Sequence, residues 1–308
     1  MRIVFMGTPE FAVPVLEGLI SNYEVVGVVS QPDKVVGRHQ VLTQTPIKKV
    51  ALQHHIPVFQ PIKIREDYEE ILALKPDMIV TCAYGQIIPK VILDCPKLGC
   101  INVHASLLPK LRGGAPIHRA IIDGYTKTGI TIMYMAEGMD SGDIISQREV
   151  LIDEKDTAAS LHDKLKVVGR DLLLETLPSI IEGTNSRTRQ DESLVTYGFN
   201  ISKEDEKIDF NTTSKKVYDK IRGLNSWPGA YCVLDGKRLK VWESYRTNEV
   251  YDTKINGEIT RLYSDGFGVK VSNGEVVFKV VQPEGKKAML ASDFINGYHD
   301  NLVGKVLE

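Results

Sequence analysis

Asp77-Met78-Ile79-Val80-Thr81-Cys82-Ala83 is an almost unbroken apolar run, set between Lys75-Pro76 and Tyr84-Gly85. It has the length of one strand, and its lack of polar alternation means that both faces are covered. Residues 100–105 and 130–135 follow the same pattern downstream, and residues 2–7 and 24–30 follow it upstream. Helical stretches separate them. Pro46 opens one through residue 54, and others are expected near residues 88–93 and 115–123. Pro9 takes the first position of a further helix, with Thr8 as its cap. A long segment, residues 157–181, carries Leu161, Leu165, Val168, Leu172 and Leu173 at helical spacing. Buried strands alternating with helices predict an α/β domain, a Rossmann-like and mostly parallel sheet, over residues 1–182.

The pattern then changes. Gly183-Thr184-Asn185-Ser186-Arg187-Thr188-Arg189-Gln190-Asp191 is polar and turn-rich, so residues 183–203 read as a linker. One amphipathic helix follows, with Val217, Ile221 and Leu224 on its apolar side. Beyond it lie short alternating runs punctuated by Asp235-Gly236, Asp265-Gly266 and Asn273-Gly274, the dipeptides of tight hairpins. Residues 204–308 are therefore expected to form a small OB-like β-barrel.

Composition narrows the function. Of 308 residues, 43% are hydrophobic and 25% charged, the mixture of a folded globular chain. A formal charge of -2 leaves no global polycation to hold nucleic acid. No apolar run reaches the ~18 residues of a membrane helix, and the first ten residues lack a leader pattern, so a cytoplasmic protein without a membrane partner is expected. The four cysteines include no C-x-x-C pair, which predicts buried thiols and no structural metal.

The chemistry gathers in Asn102-Val103-His104-Ala105-Ser106-Leu107-Leu108-Pro109-Lys110-Leu111-Arg112-Gly113-Gly114-Ala115-Pro116. Asn102, His104 and Ser106 fall on one face of a strand, at the carboxyl end where open parallel sheets bind ligands. Asp140 follows the run at 130–135, within Glu137-Gly138-Met139-Asp140-Ser141-Gly142-Asp143. A calcium loop is excluded there because its twelfth position is Leu151, not Glu. An amide, an imidazole and a carboxylate suit attack on a carbonyl without a protein nucleophile: the amide holds the oxyanion, the imidazole moves the proton, and the carboxylate orients the ring. Ser106 as a nucleophile stays open as an alternative, although Ala105-Ser106-Leu107 lacks a G-x-S-x-G elbow. NAD is not expected. Met6-Gly7-Thr8-Pro9-Glu10-Phe11-Ala12 has one glycine where a dinucleotide fingerprint needs three.

Taken together, several motifs resemble the methionyl-tRNA formyltransferase family, enzymes dependent on 10-formyltetrahydrofolate. They are residues 5–12, Gln31-Pro32-Asp33 with Gly37-Arg38, Asn102-x-His104-x-Ser106-Leu107-Leu108-Pro109 with Arg112-Gly113 and Ala115-Pro116, the Asp140 loop, and Ser226-Trp227-Pro228-Gly229-Ala230. The resemblance implies formylation of the α-amine of initiator methionyl-tRNA, with 10-formyltetrahydrofolate as co-substrate. It implies Asn102, His104 and Asp140 as the catalytic set, a folate site lined by Ser106, Leu107, Leu108 and Pro109, and Arg38 against the tRNA. A monomer is expected. Two rivals are a folate-dependent enzyme with another acceptor (an amino sugar or water) and a nucleic-acid-binding module without catalysis.

From Glu204 to Glu308, 16 Lys and Arg face 16 Asp and Glu, so phosphate binding in the barrel must come from local clusters. Lys215, Lys216, Lys220 and Arg222, which avoid the Val217 side of their helix, are one candidate cluster. Lys237, Arg238 and Lys240 on the first hairpin are the other.

Overall fold

The first part of the chain folds into strands, seven of which make one sheet among the described residues. In chain order they are β1 (Arg2–Gly7), β2 (Glu24–Val29), β3 (Lys34–Val36), β4 (Val41–Thr43), β5 (Val58–Phe59), β6 (Met78–Cys82), β7 (Cys100–His104), β8 (Lys127–Tyr134) and β9 (Ile144–Leu151). The computed structural model describes residues 1–36 and 40–308. The chain divides into two compact units. One contains Met1–Pro116, Lys127–Leu151 and His162–Phe199; the other contains Ile117–Thr126, Ile152–Leu161 and Asn200–Glu308.

The sheet of the first unit has the order β5-β2-β1-β6-β7-β8-β9. β5, β2, β1, β6 and β7 pair in parallel, and β1 and β6 are buried on both faces, as their unbroken apolar sequence requires. The run at 130–135 departs from expectation, because β8 lies antiparallel to β7 and β9 antiparallel to β8. A parallel return needs a helical crossover on the same sheet. The connecting residues 117–126 belong to the other unit. β9 alternates between half-buried and exposed positions, the pattern of an edge strand.

The helices are α1 (Val13–Asn22), α2 (Pro46–Gln53), α3 (Glu69–Ala73), α4 (Lys90–Leu93), α5 (Pro116–Ile122) and α6 (Ala158–Ile181). Thr45 caps α2 by accepting from the Lys48 amide at 3.2 Å, with Pro46 in the first turn as anticipated. Thr8 caps nothing. Its hydroxyl donates to the Tyr84 carbonyl at 2.9 Å, and a 3₁₀ turn at Glu10–Ala12 precedes α1. Lys34–Val36 (β3) and Val41–Thr43 (β4) pair antiparallel, and Val41 and Leu42 are exposed.

In the second unit, α7 (Ser214–Gly223) buries Val217 and Ile221, with Leu224 next to them. It is followed by β10 (Ala230–Leu234), β11 (Lys237–Arg246), β12 (Ile259–Tyr263), β13 (Gly266–Val271), β14 (Gly274–Pro283), β15 (Met289–Leu290) and α8 (Ala291–Asn296). The order β10-β11-β14-β13-β12 lays a hairpin against a three-stranded meander, and β15 pairs with β14. The last residues close the ring. Glu308 exchanges backbone hydrogen bonds with Val233 of β10, while the Lys305 carbonyl accepts from Ile259 in β12. Closure leaves few free edges, as small Greek-key barrels do. Phe267 and Phe278 meet edge-on in its core, 5.5 Å between centroids.

Only Asp235-Gly236 forms the expected left-handed turn, with φ of 48° and 73°. Gly266 is instead the first residue of β13, where a Cβ would lie 2.0 Å from the Phe278 carbonyl. Close strand approach, not turn chemistry, requires glycine at that position.

Arg119 of α5 grips Asp205 with both guanidinium nitrogens, at 3.1 and 2.7 Å. The pairing holds the Asp205 carboxyl down at about 2, against about 3.9 in an unfolded chain. Its stabilisation is complete above pH ~4 and is lost as pH falls through ~2, amounting to about 1 kcal/mol once solvent screening is allowed for. Asp205→Asn should therefore lower stability by about that much at pH 7 and by far less at pH 2. Urea melts at the two pH values measure the difference.

Candidate active site

β7 carries Asn102 and His104 two residues apart, so both side chains leave the sheet on one face. Next to it in the parallel register, Thr81 of β6 pairs with Asn102. The Thr81 hydroxyl donates to Asn102 Oδ1 at 2.8 Å. That contact spends the acceptor end of the amide. Asn102 Nδ2 has no partner among the described residues and is the donor left to face a ligand.

His104 is 6% exposed. Its Nε2 lies 3.1 Å from the Leu111 carbonyl, which can only accept, so Nε2 carries the hydrogen. Nδ1 is then the basic nitrogen, and it faces Asp140 Oδ1 at 3.7 Å. This is ion-pair range for a protonated ring, and longer than a hydrogen bond. The other Asp140 oxygen accepts from the Gly113 amide at 2.8 Å. Asp140 sits on the loop between β8 and β9; β8 stops beside the amino end of β7, with Tyr134 opposite Ile101, and the loop 135–143 doubles back to bring the carboxylate to His104. Gly113, at φ 119°, holds a conformation that L side chains rarely adopt, and a Cβ there would lie a tight 3.1 Å from the Gly198 carbonyl.

The loop after β7 is organised by Thr131 of β8. Its hydroxyl donates to the Ser106 carbonyl at 2.6 Å and accepts from the Leu108 amide at 3.1 Å and Gln147 Nε2 at 2.9 Å. Ser106 is fully buried, and its own hydroxyl donates to the Lys110 carbonyl at 2.6 Å. Among the described residues Ser106 has no hydrogen bond to His104; its hydroxyl is committed to the Lys110 carbonyl. Leu108 is also buried, which leaves Leu107 and Pro109 as the half-exposed members of this loop.

Two left-handed residues frame the site, Leu111 at φ 58° and Asp140 at φ 45°. A segment expected in the linker holds both. The Leu111 amide donates to Thr196 Oγ1 at 2.9 Å, and Arg112 exchanges backbone hydrogen bonds with Thr196 and Gly198. Gln190 donates to the Asp140 carbonyl at 2.7 Å and the Gly142 carbonyl at 2.8 Å. Residues 183–199 are thus part of the first unit, because their backbone completes its loops. Sequence reasoning missed Thr81, Thr131 and Gln190. The first two had a readable signal, a hydroxyl inside an apolar strand; Gln190 in its polar tract had none.

The basic candidates divide. Arg38 lies outside the described residues. Arg222 is 6% exposed, donating to Asp219 at 2.8 Å and to the Asp156 carbonyl at 2.8 Å. It is an internal strut, and its reading as a phosphate ligand is corrected: α7 is buried around more of its girth than its apolar residues indicate. Lys220 is half-buried and donates to the Lys207 carbonyl at 2.9 Å, and burial pulls its pKa down. Lys215 pairs with Asp219. Lys216, Lys237 and Arg238 are exposed, with the Arg238 guanidinium over the Tyr231 ring at 4.0 Å. Lys240 donates to the Pro228 carbonyl at 2.7 Å.

Comparison with known proteins places this geometry. Residues 1–177 match the formyl transferase family, and residues 200–299 match the formyl transferase C-terminal domain. The methionyl-tRNA formyltransferase of Bacillus cereus (strain G9842) is 54% identical over 302 residues, spanning 96% of each chain. That of Bacillus subtilis (strain 168) is 53% identical over 97% of this chain and 95% of its own. Among solved structures, the N-formyltransferase from Helicobacter canadensis in complex with folinic acid and dTDP-3-aminofucose superposes with a TM-score of 0.70 at 22% identity, covering 91% of this chain and 99% of that one. HypX from Aquifex aeolicus in complex with tetrahydrofolic acid gives 0.66 at 20% identity, covering 96% and 47%. These two share the fold. The full-length identity to the Bacillus proteins goes further: the chain belongs to the formyl transferase family, in the branch formed by the methionyl-tRNA formyltransferases.

Proposed function

We propose that the chain transfers the formyl group of 10-formyltetrahydrofolate to the α-amine of methionine on initiator methionyl-tRNA, by direct amine attack at Asn102, His104 and Asp140. The observation that carries the reading is the pairing of a free amide donor, Asn102 Nδ2, with a basic His104 Nδ1 facing Asp140. The α-amine, with a pKa near about 7.7–8.0, is partly neutral at pH 7 and needs only a modest base. Its nitrogen bonds to the formyl carbon, and the carbonyl electrons move to oxygen, where Asn102 donates a hydrogen bond. His104 Nδ1 takes the proton from the new ammonium while Asp140 balances the imidazolium charge. The ring returns that proton to N10 of the folate as the carbon–N10 bond breaks. One chain supplies all three groups, which suits a monomer, and a role in translation initiation suits the cytoplasm. Among the described residues no helix is long and apolar enough to cross a membrane.

Incubation with 10-formyltetrahydrofolate and either charged initiator tRNA or amino sugars tests the acceptor. Formyl-methionine on the tRNA is expected; formylated sugar with unmodified tRNA would overturn the proposal. His104→Ala should cost on the order of 100-fold or more in kcat, whereas Ser106→Ala should keep most turnover. Thr81→Val preserves volume but frees the Asn102 amide to rotate, and kcat should fall about tenfold. For the barrel, replacing Lys237 and Arg238 by Ala should lower the slope of log affinity for tRNA against log salt by about one for each phosphate contact removed.

A further inference from the structure

Gln190 joins two loops that carry opposite ends of the His104–Asp140 pair. Its Oε1 accepts from Arg112 Nε at 3.0 Å and from Nη2 at 2.8 Å. Its Nε2 donates to the carbonyls of Asp140 and Gly142, at 2.7 and 2.8 Å. The residues flanking Arg112 are the partners of the pair, since Leu111 holds His104 and Gly113 holds Asp140. Arg112 and Gln190 are 4% and 5% exposed, so their hydrogen bonds work away from water and with little freedom to rearrange. Glu192 reaches Arg112 from the solvent side, at 2.9 and 3.3 Å, and balances its charge.

We infer that Gln190 is a positioning residue for formyl transfer: its amide sets the separation of the Leu111–Gly113 loop from the Asp140 loop, and with it the approach of the Asp140 carboxylate to His104 Nδ1. This deepens the proposed function and rests on it. A displacement of about 1 Å in such a pair costs as much as 100-fold in rate, so the amide acts on kcat without touching substrate.

Gln190→Glu separates the two ends of the amide. A carboxylate still accepts from Arg112 and so retains the buried partner, but it cannot donate to the Asp140 and Gly142 carbonyls. In the formylation assay with the full chain, kcat should fall at least tenfold while KM for both substrates stays within threefold. Glu192→Gln, which loosens Arg112 without touching the Asp140 loop, should stay within twofold of wild type. Wild-type kcat in Gln190→Glu, or an equal loss in Glu192→Gln, would overturn the inference, as would a rise in KM with kcat unchanged. Should Gln190→Glu fail to fold, as judged by thermal melting, Gln190→Met is read by the same criteria. A wild-type chain that formylates no acceptor overturns the functional reading itself, whereas an active wild type matched by the variant overturns only this role of Gln190.

Discussion

The site depends on two backbone conformations that L-residues seldom adopt. Leu111 and Asp140 both lie in the left-handed region, at a cost of order 1–3 kcal/mol each. At Leu111 this conformation turns a carbonyl toward His104 Nε2 and so decides which ring nitrogen is basic. At Asp140 it turns the carboxylate back from a hairpin tip toward that same ring. Neither conformation is held locally. Thr196 and Gln190, some fifty to eighty-five positions away in sequence, supply the hydrogen bonds that offset the cost.

Polar groups inside the sheet follow the same economy. A hydroxyl buried in an apolar strand is costly unless its hydrogen bonds are made inside the protein. Thr81 makes its bond to Asn102, and Thr131 makes three, to the loop after β7 and to Gln147. Each of these threonines replaces what a valine would do for packing with a fixed direction for something on the ligand side. The apolar strands therefore do more than fill the core: they carry the hydrogen-bonding groups that orient the site.

Much of this was legible. Buried strands near residues 2–7, 77–83 and 100–105 follow from their unbroken apolar runs, and period-two geometry alone puts Asn102 and His104 on one face. Asp140 was legible as a turn residue, but its reach to His104 depends on the loop 135–143 doubling back from the amino end of β7, a path that apolar runs do not encode. Arg222 misled because a helical wheel marks apolar residues, whereas α7 buries a charged pair, Asp219 and Arg222, among them. The tract 183–199 read as a linker because loops that fasten a site use the same polar, turn-forming residues as loops that join domains. What distinguishes them is partnership over long sequence separations, which no local window contains.

The second compact unit takes in residues 117–126 and 152–161 as well as everything after 199. Ile121 and Ile122 pack against Gly223, a residue about a hundred positions later. On a ribosome adding about 5–20 residues per second, those isoleucines emerge roughly 5–20 s before α7 exists to cover them. The nascent chain thus carries an uncovered apolar helix face through about a third of its synthesis. The interleaving also means that cutting the gene into two consecutive pieces would strand part of one unit on the wrong polypeptide.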